Sequence, residues 1–458
     1  MKYNLSKFSH LFSDYTELRI QENVMVRIVI VNGNITVNTH KAESGVSARV
    51  FKNGAWGFAS MPETGDDKVT FTLKKASDNS TILSQKLKSK RYSLPETKIE
   101  SENTFFTKKV KASHQNKINL MKEIDSYIIK KYKDLTGRTI ALSTLDMEKS
   151  LLTSCEGKSY SMIPRAGIYV MLNKEKNGEP VGLTEYIGTL GQFEDNFENT
   201  SKIYNKIDEL YVKLTDKTEG VFAEPGVKDC ILDADLAGIL AHEAIGHTTE
   251  SDLVIGGSIA GDFMNEQVAS PLITLIDFAH NALGKTCPVP VYIDDEGTKA
   301  EDAVIIEHGI LKSYMHNKQT SVMFDTKPTG NARAFGFYDE PLIRMRNTAI
   351  LPGTDKLKDM IASIEDGYYL MKHSNGQADS TSEFTFGVTL GYKIKNGKIS
   401  SAIKDTTISG IAFDVLKSVS MVSDDMAWSN GGMCGKKQLI PVGMGGPAIK
   451  CKVNLGGR

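Results

Sequence analysis

The sequence lacks any run of apolar residues long enough to cross a membrane. Its most apolar stretch, residues 24–31, contains Arg27 and is far shorter than the roughly 20 residues that a spanning helix needs. Residues 1–20 mix polar and apolar side chains. Polar residues such as Lys2 and Asp14 prevent the continuous apolar run that a secretory signal peptide needs. The sequence therefore predicts a protein that neither spans a membrane nor carries a signal for export.

Close cysteine pairs and a large net charge are also missing. The cysteines are odd in number and widely spaced, which argues against the disulfide framework of a secreted protein and predicts a reducing cytoplasm. Lys and Arg total 55 and Asp and Glu total 56, so the net charge is −1. Without an overall electrostatic field, neither nucleic acid nor a membrane is predicted as a partner.

The N-terminal part carries signals for both sheets and helices. Residues 25–58 alternate apolar and polar side chains around Asn32-Gly33 and Asn53-Gly54, which suit tight hairpin turns. Residues 113–135 repeat their apolar positions at helical spacing, whereas residues 65–103 are polar and predict a linker or a mobile loop. At roughly 150 residues per domain, the 458 residues predict two or three domains.

After a second predicted helix at residues 201–213, the sequence becomes rich in glycine and in β-like patterns. Further hairpin signals lie at His308-Gly309 and Asn396-Gly397, and a helix with a threonine cap is predicted over residues 354–367. The predicted fold class is α+β. An N-terminal α/β region with antiparallel sheets and helices is predicted over residues 1–200, with possible subdomains at about 1–100 and 101–200. A large β-rich C-terminal domain follows over residues 201–458.

The segment from Asp233 to His247 carries the chemistry. Asp233 is placed to cap a helix, and Glu243 continues the apolar row of Leu236, Ile239 and Leu240 toward a partly buried place. Neutral imidazole is a good zinc ligand, and a neighbouring carboxylate can take a proton from a zinc-activated water, as in His-Glu-x-x-His metallopeptidases. Here the motif residues are His242, Glu243 and His247, with one residue more between the histidines.

This longer spacing leaves two interpretations open. At about 100° per residue, side chains five apart on a regular helix point about 140° away from each other. In one interpretation His242 caps a buried helix face, His247 ends the helix and Glu243 forms an ordinary salt bridge. In the other, both histidines bind one metal, which requires a π-type turn between His242 and His247 or a helix end at Gly246.

The segment from His242 to His247, followed by Thr-Thr-Glu250-Ser-Asp252, resembles the His-Glu-x-x-x-His signature of the TldD/PmbA family of metallopeptidases. The similarity continues in the same order through many further segments, so it involves all regions of the chain. These segments are residues 45–59, 154–157, 266–271, 294–298, 346–348, 379–382, 419–422, 433–436 and 441–443. The residues at 248–249 and 344–346 depart from the usual family pattern, so substrate specificity does not carry over.

The resemblance implies a site and an activity. It implies that His242, His247 and Cys434 hold Zn²⁺, that Glu243 is the general base, and that the C-terminal domain carries this site. It also implies a hydrolase that degrades or matures unfolded or small peptides, and that acts as a homodimer or as a heterodimer with a paralogue. An alternative is a catalytically silent peptide-binding or regulatory subunit that acts on a partner such as DNA gyrase. The presence of Glu243 favours the enzyme, because a structural metal site needs no base.

Other candidates carry weaker signals. Glu250 lies just past His247, and two roles are open to it. It is either a third ligand in place of Cys434 or a residue that supports a ligand from outside the metal shell, and the second role is favoured. The Asp294-Asp-Glu-Gly segment is typical of a turn rather than of a cation site. The remaining cysteines and four further histidines are predicted to be structural; they are Cys155, Cys230, Cys287, Cys451, His280, His308, His316 and His373.

Overall fold

The computed structural model describes residues 3–86, 92–96 and 98–456. Helices pack against mostly antiparallel sheets in the N-terminal part, and the C-terminal part is dominated by strands, so the predicted α+β class is confirmed. None of the helices in the described residues has the length and apolar character needed to cross a bilayer.

One large sheet forms the N-terminal part. Its strands are β1 (Tyr15–Val31), β2 (Asn34–Lys52), β3 (Ala55–Met61), β4 (Glu100–Thr104), β5 (Gly137–Thr153), β6 (Lys158–Lys176) and β7 (Glu179–Leu190). They lie in the order β3-β2-β1-β5-β6-β4, and β7 also pairs with β6. Asn32 and Asn53 have φ angles of 47° and 50°, and the glycine after each is also left-handed, so both predicted hairpin turns are confirmed.

A 3-10 helix (Leu5–Leu11) and four α-helices accompany this sheet in the described residues: α1 (Asp66–Lys86), α2 (His114–Lys131), α3 (Phe193–Phe197) and α4 (Thr200–Thr218). The prediction of a linker or loop over residues 65–103 is wrong for α1, because Val69, Leu73 and Ala76 form a narrow buried stripe at helical spacing. It is also wrong at residues 100–103, which pair with β6 as part of β4. The part of that prediction at residues 87–91 and 97 lies outside the described residues. The predicted helix at 113–135 is confirmed, with a capping box at Ser113.

The C-terminal strands belong to two larger sheets and three short hairpins. They are β8 (Gly226–Leu232), β9 (Leu275–Phe278), β10 (Asn281–Ala282), β11 (Lys285–Thr286), β12 (Ala303–Glu307), β13 (Ile310–Leu311), β14 (Ala332–Arg333), β15 (Leu342–Ile343), β16 (Asn347–Ile350), β17 (Asp366–Ala378), β18 (Glu383–Lys395), β19 (Lys398–Ile403), β20 (Thr406–Ile411), β21 (Met421–Val422), β22 (Ala427–Ser429), β23 (Met433–Lys436), β24 (Gln438–Pro441), β25 (Gly443–Gly446) and β26 (Ile449–Leu455). One sheet has the order β17-β8-β26-β20-β18-β19, and the other has β13-β12-β9-β16-β25-β22.

Short helices connect these strands: α5 (Ala234–Ile239), α6 (Ser251–Ile255), α7 (Lys318–Met323), α8 (Leu357–Ala362) and α9 (Ala412–Lys417). The helix predicted over residues 354–367 is therefore too long at both ends, since Asp366 and Gly367 already pair with β18. The hairpins predicted at His308-Gly309 and Asn396-Gly397 are confirmed.

Buried charges join the N-terminal sheet to a turn of the C-terminal part. Arg49 forms ion pairs with Glu17, at 2.8 Å, and with Glu296, and Lys149 lies 2.7 Å from Asp295. The 294–298 segment is a turn with Gly297 at a φ of 75°, as predicted.

Helix α4 packs its apolar side on the N-terminal sheet. The domain boundary between residues 200 and 201 stays a prediction.

Candidate metal centre

A capped helix carries the two histidines. After β8, the Asp233 carboxylate accepts hydrogen bonds from the backbone N–H groups of Asp235, at 3.1 Å, and Leu236, at 3.0 Å. This cap satisfies two of the free donors at the start of α5. Leu236 and Ile239 are buried, which fixes the rotation of the helix against the sheets. The predicted cap and apolar row are thus both present.

The helix changes its winding at the motif. Residues Leu240–Gly246 form a π-helix, in which the backbone N–H of His247 donates to the carbonyl of His242, five residues earlier. The extra residue per turn removes most of the 140° separation expected on a regular helix. The imidazole centroids of His242 and His247 are 5.3 Å apart. The prediction of a π-type turn between the two histidines is confirmed.

Close packing explains the glycine in this turn. A Cβ atom on Gly246 would lie 1.9 Å from the Sδ atom of Met345, which is fully buried. Such an approach is far inside van der Waals contact, so any side chain at position 246 displaces either Met345 or the π-turn. The requirement for glycine here comes from a distant side chain and not only from its weak helix propensity.

We expect Gly246→Val to lower the free energy of unfolding by about 1–3 kcal/mol, the usual cost of overpacking a core. Zinc affinity should fall about tenfold or more, on the scale of changes that misorient a ligand without removing it. Denaturant unfolding and competition with a zinc-binding dye measure the two effects. The matched control is Gly435→Ala, because a Cβ on Gly435 meets open space. Equal stability and zinc affinity in the two variants would contradict the packing argument.

A hairpin far along the chain brings Cys434 to the histidines. Cys434 lies in β23, which pairs with β24. Arg344, fully buried, donates to the carbonyls of Cys434, at 2.7 Å, and of Gln438, at 2.9 Å, and so holds both sides of the hairpin. The Cys434 Sγ atom lies 3.3 Å from Nε2 of His247. The potential ligand atoms of His242, His247 and Cys434 all lie within 4.8 Å of one another.

These three donors fit a zinc ion. Zinc–sulfur and zinc–nitrogen bonds of about 2.3 and 2.0 Å at a tetrahedral angle separate the two donor atoms by about 3.5 Å, close to the observed contact of Cys434 with His247. His242 is buried, and neither of its ring nitrogens has a hydrogen-bond partner among the described residues. Unpaired polar atoms are costly in a protein interior, and a metal ion would satisfy one of them.

The electrostatics of the cluster favour the ligand form of the cysteine. Burial raises the pKa of the Cys434 thiol, but the imidazoles of His242 and His247 lower it to about 4. Burial lowers the pKa of His247, but Glu250 and Cys434 raise it to about 10. The thiolate is the form of cysteine that binds metals, and metal binding displaces the proton of an imidazolium.

Glu250 supports His247 from the side opposite Cys434. Its Oε2 atom lies 2.9 Å from Nδ1 of His247, whereas Cys434 faces Nε2. Lys436 in turn lies 3.2 Å from Glu250 and 2.7 Å from Asp252. A carboxylate on the second nitrogen of a ligating histidine fixes the tautomer and the ring orientation. This placement favours the supporting role for Glu250 over a place in the metal shell.

Glu243 lies beside the three donors and faces a large cleft. Its Oε2 atom is 3.7 Å from Nε2 of His247, and about a fifth of its side chain is exposed. The cleft, of about 1060 Å³, lies between the N-terminal sheet, with Tyr169 and Tyr186, and the C-terminal part, with Glu243 and Trp428. The Glu243 carboxylate therefore lies next to both the donor cluster, formed by His242, His247 and Cys434, and any molecule that occupies the cleft.

The other candidates lie elsewhere, with one exception. The remaining cysteines are free thiols, and none of them belongs to the donor cluster found in the described residues. His280, His308 and His316 are absent from the cleft lining, whereas His373, which the sequence analysis assigned to a structural role, lines the cleft together with Glu243. No sequence motif marked His373, because only the packing of β17 against α5 brings it there.

Sequence comparison identifies the family of the chain. Residues 225–457 match the family described as the PmbA/TldA metallopeptidase C-terminal domain, and residues 16–80 match its domain 1. The chain therefore belongs to the TldD/PmbA family of metallopeptidases, as the resemblance predicted.

Individual relatives are similar to this chain over nearly its whole length. A metalloprotease TldD homolog of Buchnera aphidicola is 32% identical over 97% of this chain and 93% of its own length. A zinc metalloprotease TldD homolog of Saccharolobus solfataricus is 28% identical over 99% of both. The crystal structure of TldE from Thermococcus kodakarensis has the same fold, with a TM-score of 0.78, 18% identity and 99% of each chain covered.

Proposed function

We propose that the chain is a zinc-dependent peptidase in which His242, His247 and Cys434 hold one zinc ion and Glu243 is the general base. The observation that carries this proposal is the convergence of the three donors next to Glu243, which itself lines the cleft. The printed name of the Saccharolobus solfataricus relative, a zinc metalloprotease, supports the choice of metal. The alternative third ligand, Glu250, is oriented toward the other nitrogen of His247.

Zinc bound by these donors would supply Lewis-acid activation of a water molecule and of a peptide carbonyl. The protein's own part is then to hold the base and to orient the ligands. Glu243 accepts the proton of the attacking water and returns it to the leaving amine, a role that needs a carboxylate within hydrogen-bond reach of the reacting atoms. Glu250 keeps the His247 ring in place, and Arg344 keeps the Cys434 hairpin in place.

Unfolded or small peptides are the proposed substrates. Cavities of about 300–1,000 Å³ enclose drug-sized ligands, so a cleft of about 1060 Å³ has room for a short stretch of extended peptide. A compact folded domain presents no such free backbone at its surface. We also propose a cytoplasmic location, from the free cysteines, and a homodimer or a heterodimer with a paralogue, since a structural neighbour is named TldE.

Degradation of an unstructured polypeptide tests the function directly. We expect the purified protein to release short peptides, to lose this activity after treatment with a chelator, and to regain it with about one equivalent of zinc per chain, since a single donor cluster is proposed. Mass spectrometry of the products against time is the measurement. A protein that binds the polypeptide and one zinc ion, yet leaves the polypeptide intact, would favour the regulatory-subunit alternative.

A further inference from the structure

A second imidazole–carboxylate pair lies in the same cleft. Nδ1 of His373 lies 2.8 Å from Oδ2 of Asp235, and the backbone N–H of His373 donates to the same oxygen at 3.1 Å. Asp235 also accepts a hydrogen bond from the hydroxyl of Ser429. The carboxylate thus holds the His373 ring by one of its nitrogens, while about a fifth of the histidine side chain stays exposed in the cleft.

The backbone directly before His373 is strained. Lys372 has a φ of 53°, in the left-handed region that residues other than glycine rarely adopt, although it lies within a long strand. Such outliers persist only where the surrounding structure holds them, and they concentrate at functional sites. Lys372 is anchored across the cleft by Glu185, at 2.7 Å. The strain and the anchor belong to the same short segment as His373.

Asp235, which holds His373, and the proposed base Glu243 lie along one side of the same helix. Asp235, Ile239 and Glu243 are spaced four residues apart, and all three line the cleft. Eight residues of helix rise about 12 Å, and an extended peptide advances roughly 3.3 Å per residue. A peptide cleaved beside Glu243 would therefore pass His373 about three to four residues from the cleaved bond.

The charges around His373 favour a donating imidazolium. Burial lowers the pKa of His373, but Asp235, Asp233 and Glu243 raise it above its ordinary value. The neighbouring cation, Lys372, is neutralised by Glu185. Nδ1 is engaged by Asp235, so Nε2 is the nitrogen left for a ligand, and hydrogen bonds from a charged donor are among the stronger ones in proteins.

We propose that His373 is a substrate-binding residue that donates a hydrogen bond from Nε2 to a main-chain oxygen of the bound peptide, about three to four residues from the cleaved bond, and that Asp235 positions it. This inference rests on the proposed function only for the location of the cleaved bond. The oxygen belongs either to an internal peptide carbonyl or to a C-terminal carboxylate, and both present the same acceptor chemistry to the imidazolium.

Peptide binding measured without turnover tests this inference apart from the proposed activity. In a zinc-loaded Glu243→Gln background, His373→Ala should weaken binding of a fluorescent unstructured peptide about 10- to 100-fold, the usual effect of losing a charged hydrogen bond. Zinc content should not change. His373→Gln retains an N–H group near the position of Nε2 and should restore most of the affinity. Exposed His10, outside the cleft lining, supplies the control His10→Ala.

Two further comparisons identify the acceptor and the role of Asp235. Peptides with a free or an amidated C-terminus separate the sources, because only a carboxylate acceptor makes the effect of His373→Ala depend on the free acid. Asp235→Asn should weaken peptide binding when His373 is present, but it should add little to the effect of His373→Ala. This coupling is expected of residues that act as one unit. If His373→Ala binds both peptides as tightly as the His10→Ala control, the proposal is wrong, whatever the peptidase assay shows.

Discussion

Glu243→Gln is expected to lower the hydrolysis of an unfolded substrate a hundredfold or more while the protein binds as much zinc as before. The amide keeps the size and shape of the side chain but cannot accept a proton, and loss of a general base has about this effect. Glu243 is near the donor cluster, at 3.7 Å from His247, but it is not one of the three proposed ligands. Rates of peptide release and the zinc content of each variant are the measurements.

The control for this experiment removes a different carboxylate from the same cleft. Asp405 also lines the cleft and pairs with the buried Lys217, while its own side chain is largely exposed. Asp405→Asn keeps an oxygen that can accept a hydrogen bond from Lys217, so hydrolysis should stay within a few-fold of the unmodified protein. Undiminished hydrolysis by Glu243→Gln would remove Glu243 from the mechanism. An inactive parent protein that still binds zinc and peptide would instead support the regulatory-subunit alternative.

Cys434→Ser is expected to weaken zinc binding by more than a hundredfold, because the hydroxyl of serine does not ionise at neutral pH and is a poor substitute for a thiolate. X-ray absorption of the unmodified protein should show one sulfur and two imidazole nitrogens around each zinc ion. Cys155→Ser, at a half-buried cysteine outside the donor cluster, is the control and should retain full affinity. A zinc shell of nitrogen and oxygen alone would make Glu250 the better third ligand.

The donor cluster was only partly predictable from the sequence. The motif placed His242, Glu243 and His247 on one helix, and for a shared metal its spacing predicted either a helix end at Gly246 or the π-turn that the structure contains. Cys434 follows His247 by 187 residues, and no local pattern links them, so only the family resemblance pointed to it. The packing of Met345 against Gly246 is equally long-range, and therefore the full reason for the glycine appears only in three dimensions.

The fold divides in the same way between local and long-range causes. Hairpins at Asn32-Gly33, Asn53-Gly54 and Asn396-Gly397 were predictable because the turn itself demands left-handed backbone. Helix α1 was missed, since most of its surface is polar and only a narrow stripe contacts the sheet. The cleft was invisible in the sequence, because its walls come from strands and helices that meet only through the packing of the two parts.

The sheet behind the donor cluster forms late in synthesis, because two of its neighbouring strands lie far apart in the sequence. Strand β8, which leads into α5, pairs along its whole length with β26, from Gly226 opposite Leu455 to Leu232 opposite Ile449. The ribosome therefore releases β8 and both histidines long before it makes the strand that completes their sheet. Pairing between such distant segments is slow to form. The proposed metal site is therefore expected to take up its ion only after β26 has been made and has paired with β8.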